Sequence, residues 1–148
     1  MRIDQTNAQE IVRQYDLVID GSDNAKTRYL VNDACVIEKV RFTIFPFKRQ
    51  KILISGAAVK WDAQLTIYNK DDGPCYRCLY PNCPKAENMQ SCADNGVIGM
   101  VPGLMGILLA IECLKLLTKN GNPMNKRLLI FDALEMTFKN CKIRGRKR

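Results

Sequence analysis

The sequence predicts an α/β fold, and three observations carry that prediction. Short apolar runs such as "YDLVID" (15–20) and "ILISGAAV" (52–59) alternate with segments whose apolar residues recur at helical spacing. Clusters of Gly, Asp and Asn, as in "DGSDN" and "KDDG", mark the places where one pattern gives way to the other. The chain has 148 residues, 47% hydrophobic and 26% charged, which is one domain's worth with enough apolar material for a core.

Taken in order, "YDLVID" reads as a strand, "GSDN" as a loop, and "AKTRYLVNDACVIEK" as a helix in which Leu30, Val31, Ala34 and Cys35 share a face. Ser22 or Asp23 is the expected helix cap. Residues 40–51, "VRFTIFPFKRQK", join that helix to the next buried strand, where a connection of roughly 2 to 6 residues is usual. That excess length reads as an insertion. "ILISGAAV" is expected to be a buried strand leading into a loop, and "WDAQLTIYN" a half-buried strand closed by the turn "KDDG". A Pro-rich cysteine loop (74–92) precedes "VPGLMGILLAIECLKLLTKNG", a helix with Pro102 in its first turn and Gly121 as its C-terminal cap. Apolar nearly all round, it is expected to lie buried, with a second subunit as one possible cover. "RLLIFDALEMTFKNCKI" reads as two strands around a short turn.

Composition excludes several functions. The net charge of +8 is compatible with an acidic partner, but part of it sits in two local runs, "KRQK" (48–51) and "RGRKR" (144–148), so no direct nucleic-acid binding is expected. The uncharged run at 97–111 is interrupted by Gly and Pro and falls short of the roughly 20 apolar residues a spanning helix needs, so no membrane is expected. "RIDQTNAQE" lacks the apolar core of a secretory signal, which makes the cytosol the expected location. The seven cysteines are then expected to be free, metal-bound or catalytic rather than disulfide-paired. There is no histidine, so Cys-His and Ser-His pairs and histidine-containing zinc sites are ruled out.

Three motifs carry chemistry, each with a plainer alternative. In "DGSDN" (20–24), Asp23 stands where ligands bind open α/β sheets and is suited to a magnesium-bound nucleotide; equally, it caps a helix. Cys75 and Cys78 have the C-x-x-C spacing of half a zinc site; incidental thiols or a redox pair fit it too, although "YRCLYP" offers no helix start after Cys75. Cys92, in "QSCADNGVIG", is placed as a nucleophile for an activated acyl group, or as an ordinary loop cysteine or zinc ligand. Lys26 and Arg28 either approach phosphates or form a solvated helix face, whereas Cys35 and Cys113 read as core.

Together, "YDLVIDGSDNAKTRYLVNDACV", "SGAAVKWDAQLTIYN", "GPCYRCLYP", "SCADNGVIGMVPGLMGILLAIECLKLL" and "RLLIFDALEMTFKNCKIRGR" closely resemble the ThiF/MoeB-type ubiquitin-activating-like enzymes. The nearest branch resembles the eukaryotic molybdopterin-synthase sulfurylases, which are adenylyltransferases and sulfurtransferases. The resemblance covers nearly the whole chain except 40–51. It implies a Rossmann-like sheet that binds Mg-ATP and adenylates the C-terminal glycine of a small ubiquitin-like sulfur-carrier protein. The product is then thiocarboxylated for tRNA wobble-uridine thiolation, molybdenum cofactor biosynthesis or both. By the same resemblance Asp23 is catalytic and magnesium-linked, Asn24 contacts the nucleotide, Cys75 and Cys78 hold zinc, Cys92 accepts the acyl group, and the enzyme is a homodimer.

In relatives the glycine-rich phosphate loop and the ATP-clasping basic residues precede the position of Met1, and the second zinc pair follows the "IRGR" strand. The expectation is therefore a C-terminal portion of the adenylation domain (1–148), lacking the N-terminal nucleotide-binding half and catalytically incomplete, with a zinc half-site unless Cys83, Cys92 or Cys141 completes it. The alternative is a non-catalytic module for dimerisation or for binding the ubiquitin-like protein. A zinc-dependent nucleic-acid binder would leave "DGSDN" and the long apolar helix unexplained.

Overall fold

The computed structural model describes residues 2–40, 49–84 and 96–144. Its elements are α1 (Ala8–Arg13), β1 (Leu17–Asp20), α2 (Ala25–Ile37), β2 (Lys39–Val40), β3 (Arg49–Gln50), β4 (Ile52–Val59), β5 (Asp62–Tyr68), α3 (Tyr76–Leu79), α4 (Met100–Thr118), β6 (Arg127–Asp132) and β7 (Thr137–Lys142). Five strands form one sheet in the order β1-β4-β5-β6-β7. β1 and β4 run parallel, with α2 in the crossover between them; from β4 onward every pairing is antiparallel. The expected α/β fold is present.

Alternation along β4 and β5 divides the core into two. Leu53 and its cross-strand partner Tyr68 face α1 and α2, packing with Val12, Tyr29, Val31 and Cys35. Ile54 and its partner Ile67 face the other way, packing with Leu65, Met105, Leu109 and Phe131 under α4. The result is three layers, α1 and α2 over the sheet and α4 beneath it. Gly56 permits the close approach of α4, since a Cβ there would lie 2.9 Å from Leu109 Cδ1 and 3.0 Å from Met105 Cγ.

Several expectations need correction. The expected loop after β4 is only two residues long: Lys60, at φ 52°, and Trp61 turn the chain directly into β5, which starts at Asp62. A one-turn helix, α3, does start after Cys75 and stops at Tyr80, where Pro81 follows. The last residue of α4 is capped by Lys119 in the left-handed region, φ 56°, two residues before Gly121. Burial of α4 is partial: Val101, Met105, Leu109 and Glu112 are buried, whereas Met100, Ile107, Ile111, Leu114 and Leu117 are exposed. Among the described residues the helix touches one sheet face, and none of them covers its far side. By length and composition α4 would also suffice to cross a membrane, contrary to the estimate from 97–111 alone. Its seating over Gly56 is that of a helix on a sheet.

Residues 41–48, the greater part of the expected insertion, lie outside the described residues. Their flanks are paired, Lys39 with Gln50 and Val40 with Arg49. Lys51 is buried; its ammonium donates to the carbonyls of Arg13, at 3.3 Å, and Tyr15, while its backbone N–H donates to Cys35 O at 3.0 Å. A buried cation is thus satisfied by carbonyls at and just beyond the C-terminus of α1, a favourable place for positive charge.

Candidate functional site

β1 ends in a buried carboxylate, Asp20, whose Oδ1 accepts the Ser22 N–H at 2.9 Å and turns the chain out of the sheet. The cap of α2 is Asn24, not Ser22 or Asp23: its backbone is extended and its Oδ1 accepts the Thr27 N–H at 2.8 Å. That assignment removes the plainer reading of Asp23. Asp23 is exposed at the carboxyl end of β1, and Asn24 Nδ2 approaches its Oδ1 at 3.3 Å. With its oxygen engaged by the cap, Asn24 presents only its amide nitrogen to a ligand.

Lys26 is exposed, as a solvated helix face requires, but Arg28 turns inward. Its Nη2 donates to Ser22 O at 2.7 Å, and it lines a small cavity with Ser55, Gln64, Thr66, Tyr68 and Tyr76. Three buried polar atoms here have no hydrogen-bond partner among the described residues: Arg28 Nε, Asp20 Oδ2 and Ser22 Oγ.

The cysteine turn also sits against α2. Cys75 caps α3, Cys78 N–H donates to Cys75 O at 3.0 Å, and the two sulfurs are 3.4 Å apart. Burial, and then the hydrogen bond shared with Cys78, push the Cys75 thiol above its ordinary value. Asn32, fully buried, accepts the Tyr76 N–H through Oδ1 at 2.8 Å. Arg77 forms two bonds to Asp33, at 2.7 and 2.6 Å, and lies over the Tyr29 ring at 4.7 Å. Tetrahedral zinc at about 2.3 Å from each sulfur would set the pair roughly 3.7 Å apart, so Cys75 and Cys78 fit two positions of such a site.

Among the described residues no group of three or more His, Cys, Asp or Glu is arranged to hold a metal. Cys83 and Cys141 are exposed, Cys35 is a buried residue of α2, and Cys113 is a partly buried residue of α4 packed against the core. Cys92 lies outside the described residues. Asp23 with Asn24 and Cys75 with Cys78 therefore stand as two places joined by α2. Sequence reasoning missed Arg28, Asn32 and Tyr76 as their connectors; the one available signal was polar Asn32 inside an otherwise apolar helix stripe.

A mixed sheet with a carboxylate loop at the carboxyl end of its first strand, followed by a cysteine turn, places the chain among α/β proteins whose candidate site lies at a strand's carboxyl end. The ThiF family model matches residues 1–148, and the chain belongs to the ThiF family. It is 48% identical over 141 residues to the adenylyltransferase and sulfurtransferase MOCS3 of Xenopus laevis, covering 95% of this chain and 29% of that protein. The MOCS3 of Arabidopsis thaliana is 45% identical, with 95% and 28% covered. The chain thus spans less than a third of the curated relatives it matches. Among solved structures, Escherichia coli MccB with ATP superposes with a TM-score of 0.72 at 15% identity, covering 99% of this chain and 42% of that one. MccB with the SeMet form of MccA gives 0.70 at 16%. Likeness at such identity concerns the fold alone.

Proposed function

We propose that this chain contributes to ATP-dependent adenylation of the C-terminal glycine of a small ubiquitin-like sulfur-carrier protein. The adenylate prepares that protein for thiocarboxylation, in tRNA wobble-uridine thiolation, molybdenum cofactor biosynthesis or both. The observation that carries this reading is the 20–24 loop, with Asp23 free of the capping role, in a chain 48% identical to a protein named for adenylyl transfer. The glycine carboxylate attacks the α-phosphorus of ATP, the bond to the bridging oxygen breaks, and pyrophosphate leaves. Asp23 would hold Mg²⁺, which when bound neutralises charge on the phosphates, and the Asn24 amide nitrogen would donate to the nucleotide. Cys92 would then attack the acyl carbon as thiolate and release AMP. Cys75 and Cys78 would supply two thiolates to a structural Zn²⁺.

Pyrophosphate exchange in the presence of a ubiquitin-like substrate is the test. Exchange that disappears in Asp23→Ala supports the reading; exchange that survives this substitution removes Asp23 from it, and no exchange at all removes the activity from this chain.

A second reading, a non-catalytic module for dimerisation or for holding the ubiquitin-like protein, is favoured by the exposed Ile107, Ile111, Leu114 and Leu117 of α4. A homodimer would cover that face. Size-exclusion chromatography with and without a full-length relative decides: a monomer that ignores the relative and the ubiquitin-like protein counts against this second reading.

A further inference from the structure

β7 ends the sheet and pairs on one side only, with β6. All six of its residues are exposed. The Ile143 N–H donates to Lys126 O at 2.9 Å, which fixes the phase of the ladder. Thr137, Lys139 and Cys141 therefore turn their backbone groups toward β6, whereas Phe138, Asn140 and Lys142 turn theirs outward. Among the described residues no strand meets that outward row. Unpaired N–H and C=O groups in such a row are a template for another strand.

The charges along this edge have no counterpart in the described chain. Arg127 and Lys142 stand directly opposite each other in a pair without ladder bonds, the kind that brings side chains closest. Like charges so placed oppose pairing. Arg127 donates to the neutral carbonyls of Asn122 and Pro123, at 3.4 and 3.0 Å, and among the described residues neither cation forms an ion pair. Lys139 and Arg144, both exposed, extend the same cationic edge. Lysine on an edge discourages pairing between identical strands, but an opposed Arg–Lys pair costs stability beyond that need. Phe138 adds an apolar contact: its ring stacks on Phe131 at 4.5 Å between centroids and stays 52% exposed.

We propose that the β7 edge is a docking site for an extended, acidic segment of a partner protein, which adds as a further antiparallel strand. Main-chain bonds to Phe138, Asn140 and Lys142 hold the segment, and side chains select it. Lys139 and Lys142 lie three positions apart, so the segment carries two carboxylates at that spacing, with an apolar residue placed to cover Phe138. This docking site is independent of the adenylation reading above.

The probe is the peptide acetyl-Thr-Glu-Val-Thr-Glu-Phe-Thr-amide, added to the full chain at low salt and followed by amide hydrogen exchange and resonance titration. Binding is expected to slow exchange at Phe138, Asn140 and Lys142 and to leave Lys139 and Cys141, already bonded to β6, unchanged. Asn140→Pro removes one outward N–H without touching the ladder to β6, and is expected to weaken binding about tenfold. If that variant fails to fold, a charge swap decides: Lys139→Glu combined with Lys142→Glu should lose the acidic peptide and gain its counterpart with lysine in place of glutamate. No protection at the outward amides, undiminished binding to Asn140→Pro, an unsuccessful swap, or equal binding of both peptides to the unaltered chain overturns the proposal. Displacement of the peptide by a short RNA whose affinity is unchanged in Asn140→Pro also overturns it, because the edge then selects charge rather than a strand.

Discussion

The two faces of the sheet are built by different means. The α2 face is crossed by directed polar contacts: Asn32 to the Tyr76 amide, Arg28 to the Ser22 carbonyl, and the Tyr29 hydroxyl to the carbonyls of Tyr80 and Asn82, both at 2.9 Å. The α4 face is apolar packing over Gly56, with the buried Glu112 as its polar exception; Glu112 Oε2 accepts the Met124 N–H at 2.8 Å. Apolar contact is nondirectional and tolerates small shifts, whereas a hydrogen bond to a particular carbonyl sets position and angle. The loops that need fixed geometry, 20–24 and 75–78, both border the directed face. The outer side of α4 is exposed among the described residues.

Alkaline pH should separate the faces most sharply. Burial raises the thiol of Cys35 to about 12 and also raises the phenols of Tyr29, Tyr68 and Tyr76, all on the α2 side. For Cys35 the folded value lies above the ordinary value of 9.0, so its neutral-form contribution is complete below pH 9 and is lost as pH rises toward 12. Circular dichroism followed with tyrosinate absorbance should show unfolding and ionisation together in that window. Ionisation of Tyr29, Tyr68 or Tyr76 before any loss of structure would contradict the burial assigned to this face.

Truncation should act next most strongly. Leu65→Ala, at a site 1% exposed under α4, is expected to cost about 2–5 kcal/mol in denaturant unfolding. Asn32→Ala leaves the Tyr76 N–H buried without an acceptor and is expected to cost about 1–3 kcal/mol. Only the second should disturb the amides of the cysteine turn, which makes the pair a test of directed against nondirected packing. Leu114→Glu, on the open side of α4, is expected to change monomer stability by less than about 0.5 kcal/mol while lowering self-association measured by light scattering. A large loss of stability there would show that the face is covered within one chain.

How legible these features were depends on the kind of signal each leaves. β4 and β5 were readable because burial alternates with period two, as Leu53 and Ile54 illustrate on opposite faces. α1 has six residues and left no periodic pattern long enough to detect. Ser22, Asp23 and Asn24 are three competent caps in a row, so composition could not choose among them; backbone geometry chose Asn24. The inward turn of Arg28 was invisible because the cavity it lines with Ser55, Thr66 and Tyr76 is set by tertiary packing. α4 concealed its exposed side for the opposite reason: a helix apolar on every face carries no record of which face meets the sheet. The cysteine spacing located the turn, while its dependence on Asn32 required coordinates.

The ladder between β2 and β3 has a practical use. Because Lys39 pairs with Gln50, and Lys51 is anchored to the end of α1, both banks of the 41–48 segment are moored independently of what spans them. Loop closure entropy grows slowly with length, by roughly 0.6 kcal/mol per doubling. A fluorescent reporter or an affinity handle grafted between Val40 and Arg49 would therefore enter beside a strand pair and a lysine anchor that are already in place.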